Sequence, residues 1–251
     1  MAKFGVIIAA AGSSTRFGGN EKKQFEDLAG RAVFVRAAEP FLARDDVAAV
    51  VVAVAGEDLE RVKARWGNAL GFHGIKLVAG GAERVDSVIA GFEQLPADCD
   101  HVAIHDGARP LVSPELIDKV FHEATASGAA IAAVPLSATL KRVDERPAND
   151  WGVVPRSVSA TVGRDNLWLA QTPQAFRRSI YAEALAKRAA ITVPITDDAQ
   201  LVEAIGHPVA VILGTSDNFK ITTAVDLAMA RQLMKARGVT GPGEPPKHHR
   251  F

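Results

Sequence analysis

Phe4-Gly5-Val6-Ile7-Ile8-Ala9-Ala10-Ala11-Gly12-Ser13-Ser14-Thr15-Arg16-Phe17-Gly18-Gly19 is the stretch on which the fold turns. Its first half is continuously apolar and not alternating, the pattern of a strand covered on both faces. Its second half passes through small residues to an arginine. Small side chains leave the backbone bare, so main-chain N–H groups can approach an anion. Ligands of open α/β sheets sit beyond the carboxyl ends of the strands, where this loop falls. The loop has neither Gly-x-Gly-x-x-Gly nor Gly-x4-Gly-Lys-Ser/Thr, so it is neither a dinucleotide fingerprint nor a P-loop. Lys22 and Lys23 follow Arg16 and add positive charge. Lys3, the apolar run and Ala9-Ala10-Ala11 imitate a signal peptide, but the run is too short and its basic flank is one lysine.

Working outward, Val47–Val54, Ile75–Val78, His101–Ile104, Ala129–Val134 and Val209–Leu213 are further apolar runs of strand length. Between them lie amphipathic segments at about 32–42, 57–66, 83–95, 114–126 and 197–205. Ser113-Pro114-Glu115 opens one of these with a capping serine, a first-turn proline and an acid at the positive helix end. Thr222 precedes a last helix expected to bury Val225, Met229, Leu233 and Ala236. Strands alternating with helices predict an α/β fold: a doubly wound, mostly parallel, Rossmann-like sheet in one domain over residues 1–237. Residues 137–163 break the rhythm. Leu140, Arg142, Val153, Val154, Val158, Ala160 and Val162 alternate around a polar centre, which predicts a projecting β-hairpin arm. From Gly238 the Pro/Gly-rich tail is expected to be disordered, with His248 and His249 solvated.

The chain has 251 residues, 48% hydrophobic and 23% charged, with 29 acidic and 29 basic groups. That balance gives no bulk attraction to nucleic acid or a membrane surface, and neither partner is expected. No stretch approaches the ~20 apolar residues of a membrane span. Cys99, the single cysteine, excludes an internal disulfide and is expected to be a small buried residue in a reducing, cytoplasmic setting.

The motifs then fall into an order. Ala10-Ala11-Gly12-x3-Arg16, Lys23-Gln24, Glu83-Arg84-x-Asp86-Ser87 and His105-Asp106-x-Ala108-Arg109-Pro110 are followed by Thr139-Leu140-Lys141 and Arg164-x2-Leu167-Trp168. Gln171-Thr172-Pro173-Gln174, Thr196-Asp197-Asp198-Ala199 and Asp217-Asn218-x-Lys220-Ile221-Thr222 complete the series. In order and spacing, from about residue 5 to 235, the chain resembles the 2-C-methyl-D-erythritol 4-phosphate cytidylyltransferases of the non-mevalonate isoprenoid pathway. It departs from many of them in having Ser13-Ser14-Thr15 in place of a glycine-richer loop, Lys22 in place of proline, and Ala82 in place of an acid near the base pocket. Some relatives carry a fused cyclodiphosphate synthase domain, and this chain is expected to lack one.

The resemblance implies transfer of CMP from CTP to a polyol phosphate with release of pyrophosphate. It gives Arg16 and Lys23 the triphosphate, with Lys220 as a third catalytic cation. Ala10, Ala11, Gly12, Ser13, Gly81 and Ser87 would form the nucleotide site. Asp106, Arg109, Thr139, Arg164 and Thr196 would bind the polyol phosphate. Mg²⁺ is the expected cofactor, with Asp106 and Asp217 as candidate ligands; triphosphate and water holding most of its coordination sphere is the alternative. Glu83 and Asp86 read equally well as a polar helix face, and His105 reads as structural. The arm carries apolar residues its own domain has little room to bury, so a homodimer with a shared active site is expected. A ribitol-5-phosphate cytidylyltransferase is the nearest rival. A non-catalytic nucleotide-binding protein on the same fold is the rival of a different class.

Overall fold

A computed structural model describes residues 2–15, 17–18, 21–145, 154 and 156–239. The chain begins with β1 (Phe4–Ala10), a short hairpin of β2 (Asp27–Leu28) and β3 (Arg31–Ala32), then α1 (Val33–Leu42) and β4 (Val47–Ala55). Next come α2 (Leu59–Phe72), β5 (Lys76–Gly80), α3 (Arg84–Phe92), β6 (His101–Asp106), α4 (Pro114–Ser127) and β7 (Ala129–Pro135). The second half contains β8 (Leu140–Glu145), β9 (Arg156–Val162), β10 (Trp168–Arg177), α5 (Arg178–Ala186), α6 (Ala199–Ala204), β11 (Ala210–Leu213) and α7 (Ala224–Ala236).

Seven strands form the central sheet in the order β11-β7-β10-β6-β1-β4-β5. All neighbours are parallel except those of β10, which runs antiparallel to both β6 and β7. The buried run at residues 4–10 explains the central place of β1. Val6, Ile8 and Ala10 pack on one face with Phe34, Phe41, Val62, Ile117 and Val120 from α1, α2 and α4. Ile7 packs on the other with Val88, Tyr181, Leu201 and Val202 from α3, α5 and α6. A period of two thus sends successive side chains into opposite layers, and each large aliphatic buried this way contributes on the order of 2 kcal/mol.

Two details differ from the sequence expectation. β10 and α5 were not foreseen. Gln171, Thr172, Pro173 and Gln174 give the middle of β10 the composition of a loop, because this strand carries polar side chains into the site. The last helix is capped by Thr223, not Thr222, and buries Leu227, Ala230 and Met234. Val225 and Met229 are instead 68% and 51% exposed. Apolar residues surround most of α7, so periodicity could not select a face; docking on Phe17, Leu28, Val33 and Leu111 does.

β8 and β9 pair antiparallel as a separate two-stranded sheet, with Val143 and Val158 exposed. Val153 and most of the polar centre of this arm lie outside the described residues, as does the tail from residue 240. Cys99 is buried, and that burial pushes its thiol up. Among the described residues, no helix is long and apolar enough to cross a membrane.

Candidate active site

The site lies where β1, β5 and β6 end. The turn after β6 packs directly on the end of β1, and any side chain there would be crowded. A Cβ on Gly107 would stand 3.0 Å from Ala10 Cβ and 3.1 Å from the Ala9 carbonyl, to which the Gly107 N–H donates at 2.9 Å. Gly80, at the end of β5, is similarly confined: a Cβ there would lie 2.9 Å from Ser87 Cβ and 3.0 Å from Ala11 Cβ. Ser87 is buried on α3, whose start is capped by Asp86 accepting from the Glu83 N–H at 3.2 Å. The polar-helix-face reading of Glu83 and Asp86 therefore describes this cap.

The loop after β1 returns through a 3₁₀ turn at Lys23–Phe25. Lys22 reaches Asp58 at 2.6 Å and Glu57 at 2.8 Å, while Arg61 takes the other Asp58 oxygen at 3.3 Å. This clasp fastens the far end of the loop to the corner between β4 and α2. Gln24 is buried beneath the loop and bonds to three of its residues, Ala10, Gly12 and Ser14.

A cleft of about 550 Å³ opens here, lined by Ala10, Ala11, Gly12, Ser13, Gly81 and Ser87. Lys23, Arg84, Asp106 and Lys220 close its inner side. A smaller hollow of about 190 Å³ adjoins it, lined by Arg109, Gln171, Thr172, Thr196 and Asp197 together with Arg84, Asp106 and Lys220. The last three residues form the wall common to both spaces.

Asp106 is the centre of that wall. Lys220 Nζ and Arg109 Nε each approach its carboxylate at 3.1 Å, and Arg84 Nε stands at 3.5 Å. Burial alone would raise this carboxyl, but Lys220, Arg84 and Arg109 outweigh it and hold Asp106 well below the usual carboxylate range. Arg84 also reaches Asp198 at 2.6 Å, and Asp198 accepts the Tyr181 hydroxyl at 2.7 Å. Burial would lower the Arg84 guanidinium; Asp198 and Asp106 instead hold it above its ordinary value. Burial, then Asp198, pushes the Tyr181 phenol far up.

Behind the wall, His105 is fully buried. Its Nε2 faces the Arg109 carbonyl at 3.0 Å, which can only accept, so Nε2 carries the ring proton. Nδ1 therefore accepts from the Thr172 hydroxyl at 3.0 Å, and the same hydroxyl oxygen accepts the Asp106 N–H at 3.0 Å. Burial pushes His105 down to about 4, so the ring is neutral at pH 7. It holds the backbone of the Asp106–Arg109 turn and does not line either space.

The wall does not fit a protein-held divalent metal. Three cations surround Asp106, and they would repel a dication. Asp217 forms an ion pair with Arg237 and lines neither space. Among the described residues, no group of three His, Cys, Asp or Glu side chains could hold a metal ion.

Of the expected residues, the structure gathers the six of the nucleotide set with Lys23, Asp106 and Lys220 about the cleft, and Arg109 and Thr196 about the hollow. Arg16 lies outside the described residues. Thr139 and Arg164 stand at the base of the arm and line neither space; Arg164 donates to the Ser137 carbonyl of its own chain. Arg84 and Gln24 went unassigned in the sequence, although both stand inside quoted motifs. Their signal was a cation and an amide beside residues already chosen. Their partners, up to 114 positions away, were not visible.

The sequence matches the family of 2-C-methyl-D-erythritol 4-phosphate cytidylyltransferases over residues 4–236. This chain belongs to that family. The protein of that name from Pelotomaculum thermopropionicum is 40% identical over 238 residues, 94% of this chain and 96% of the relative. A bifunctional enzyme IspD/IspF from Desulfotalea psychrophila is 38% identical over 232 residues. That match takes in 92% of this chain, which spans only 57% of the longer relative. The crystal structure of the cytidylyltransferase from Thermus thermophilus superposes with a TM-score of 0.70 at 30% identity, covering 94% of this chain and 100% of that one. Membership makes the chain a nucleotidyltransferase on the α/β fold expected for the family. The ribitol-phosphate alternative is not favoured by these relatives.

Proposed function

We propose that this chain transfers CMP from CTP to 2-C-methyl-D-erythritol 4-phosphate. The products are 4-diphosphocytidyl-2-C-methyl-D-erythritol and pyrophosphate, in isoprenoid precursor synthesis in the cytoplasm. The observation that carries this reading is the wall common to the cleft and the hollow, in which the cations Arg84 and Lys220 flank the Asp106 carboxylate. CTP in the cleft and a phosphorylated polyol in the hollow would meet there. An oxygen of the polyol phosphate attacks the α-phosphorus, the bond between that phosphorus and the α–β bridging oxygen breaks, and pyrophosphate leaves. A phosphate monoester loses its second proton near pH ~6, so the nucleophile is ionised at neutral pH and no general base is needed. Charge accumulates on the α-phosphoryl oxygens, and Lys23, Arg16 and Lys220 are the cations to meet it. The divalent cation, Mg²⁺ by preference, enters as part of the substrate, carried by the triphosphate and water.

The arm supports a homodimeric reading. Val143 and Val158 are exposed on a hairpin that is a sheet of its own, and an isolated hairpin is marginal in water. A second subunit would cover it and bring Thr139 and Arg164 to the partner's hollow. Pyrophosphate release from CTP, measured separately with methylerythritol phosphate and ribitol phosphate, tests the assignment. Turnover with the first and not the second supports it; the reverse preference, or no release with either, overturns it.

A further inference from the structure

The amide side chain of Gln24 is 2% exposed and fully used. Its Nε2 donates to the Ala10 carbonyl at 3.0 Å and to the Gly12 carbonyl at 2.9 Å. Its Oε1 accepts the Ser14 hydroxyl at 2.8 Å, and Ser14 Oγ in turn accepts the Lys23 N–H at 3.2 Å. Ser14 itself is left-handed, at φ 59°, where a residue with a side chain is held only by its surroundings. One buried amide thus determines the path of the loop from Ala10 to Ser14 and couples it to the backbone of Lys23.

The consequence follows from peptide planarity. A trans peptide sets its C=O and N–H on opposite edges. When Gln24 takes the carbonyls of Ala10 and Gly12, the N–H groups of Ala11 and Ser13 must point the other way. We propose that Gln24 is a positioning residue for the nucleotide: it withdraws two carbonyl oxygens from a bound CTP and turns the Ala11 and Ser13 amides onto it. Without this latch, rotation of either peptide would present a carbonyl oxygen to a polyanion. Gln24 does not touch the reacting atoms; it acts through the loop and through Lys23. The proposal rests on the cleft being the CTP site.

Gln24→Glu in the full-length protein tests it. The carboxylate keeps the shape but accepts only, so it would face two carbonyl oxygens with no hydrogen to offer. Direct CTP binding by calorimetry, with Mg²⁺ present, is expected to weaken roughly tenfold or more, equal to about 1.4 kcal/mol. The KM for CTP should rise in step while the KM for the polyol phosphate stays within about twofold, a split that a general loss of folding would not produce. Ser14→Ala removes both the bond to Gln24 Oε1 and the acceptor of the Lys23 N–H, leaves the two Gln24 bonds to the Ala10 and Gly12 carbonyls, and should weaken CTP about fivefold or more by the ordinary worth of two hydrogen bonds, so it decides the matter if the glutamate variant does not fold. CTP affinity unchanged in folded Gln24→Glu, or in Ser14→Ala should the glutamate variant not fold, overturns the proposal, as does equal weakening towards both substrates. Wild-type protein that binds CTP without turnover refutes the proposed function and leaves the latch standing. Wild-type protein that does not bind CTP refutes both.

Discussion

Replacing Arg84 by methionine separates what holds the wall from what performs the chemistry. The side chain is a quarter exposed and bridges Asp198, at 1% exposure, to Asp106. Asp106 would keep Lys220 and Arg109 at 3.1 Å, whereas Asp198 would lose the one ion pair it makes among the described residues. Removing one partner of a buried pair costs about 3–5 kcal/mol, because the remaining charge stays desolvated. The partial exposure of Arg84 and the Tyr181 hydroxyl still on Asp198 place the loss near the lower end, about 3 kcal/mol. For a domain of this size that lowers the melting temperature by roughly 6–12 °C. Arg84→Lys keeps the charge but not the fork that reaches two carboxylates, and should fall between. Arg84→Met combined with Asp198→Asn removes the orphaned charge and should recover much of the loss, which a double-mutant cycle by thermal melts would show. A melting temperature for Arg84→Met within about 2 °C of wild type, or a double variant no better than the sum of the singles, would refute the reasoning.

Lys23→Ala and Arg16→Ala should each lower kcat about a hundredfold or more without a matching loss of melting temperature, as expected for cations meeting developing charge. Near-normal kcat at saturating Mg²⁺ would remove that assignment. His105 is held near 4 when folded against an ordinary 6.5, so between these values the unfolded chain binds a proton that the folded chain does not. Stability should therefore decline as pH falls from 6.5 towards 4, by about 3 kcal/mol from this group. His105→Gln lacks the effect, so its stability deficit relative to wild type should narrow over that range; a constant deficit counts against the buried neutral ring. Activity should vanish in excess chelator and return with Mg²⁺, and full turnover without any divalent cation would exclude a metal–triphosphate substrate. Mixing Arg16→Met and Arg164→Met subunits should restore activity if the arm acts in trans, because each mixed dimer then has one intact site. No recovery despite demonstrated exchange of subunits would reject the shared site.

What could be read from the sequence alone was whatever depends on neighbours along the chain. The apolar run from Phe4 to Ala10 marked a strand buried on both faces, and the loop behind it marked the side on which the cleft opens. Ser113 before Pro114 marked a helix start, and its hydroxyl does accept the Leu116 N–H at 3.2 Å. Short motifs in a set order were enough for the family and for most of the cleft. Tertiary structure alone decided three things. It set β10 antiparallel among parallel strands, because the polar run from Gln171 to Gln174 reads as a loop until the strand pairs with β6 and β7. It chose the buried face of α7, because a helix apolar nearly all round has no preferred side until it docks. It also brought Arg84 between Asp106 and Asp198, and Gln24 beneath Ala10 and Gly12. Those contacts join residues 12 to 114 positions apart. A buried ion pair or amide latch is specified by where two elements meet in space, and local periodicity carries no record of that meeting.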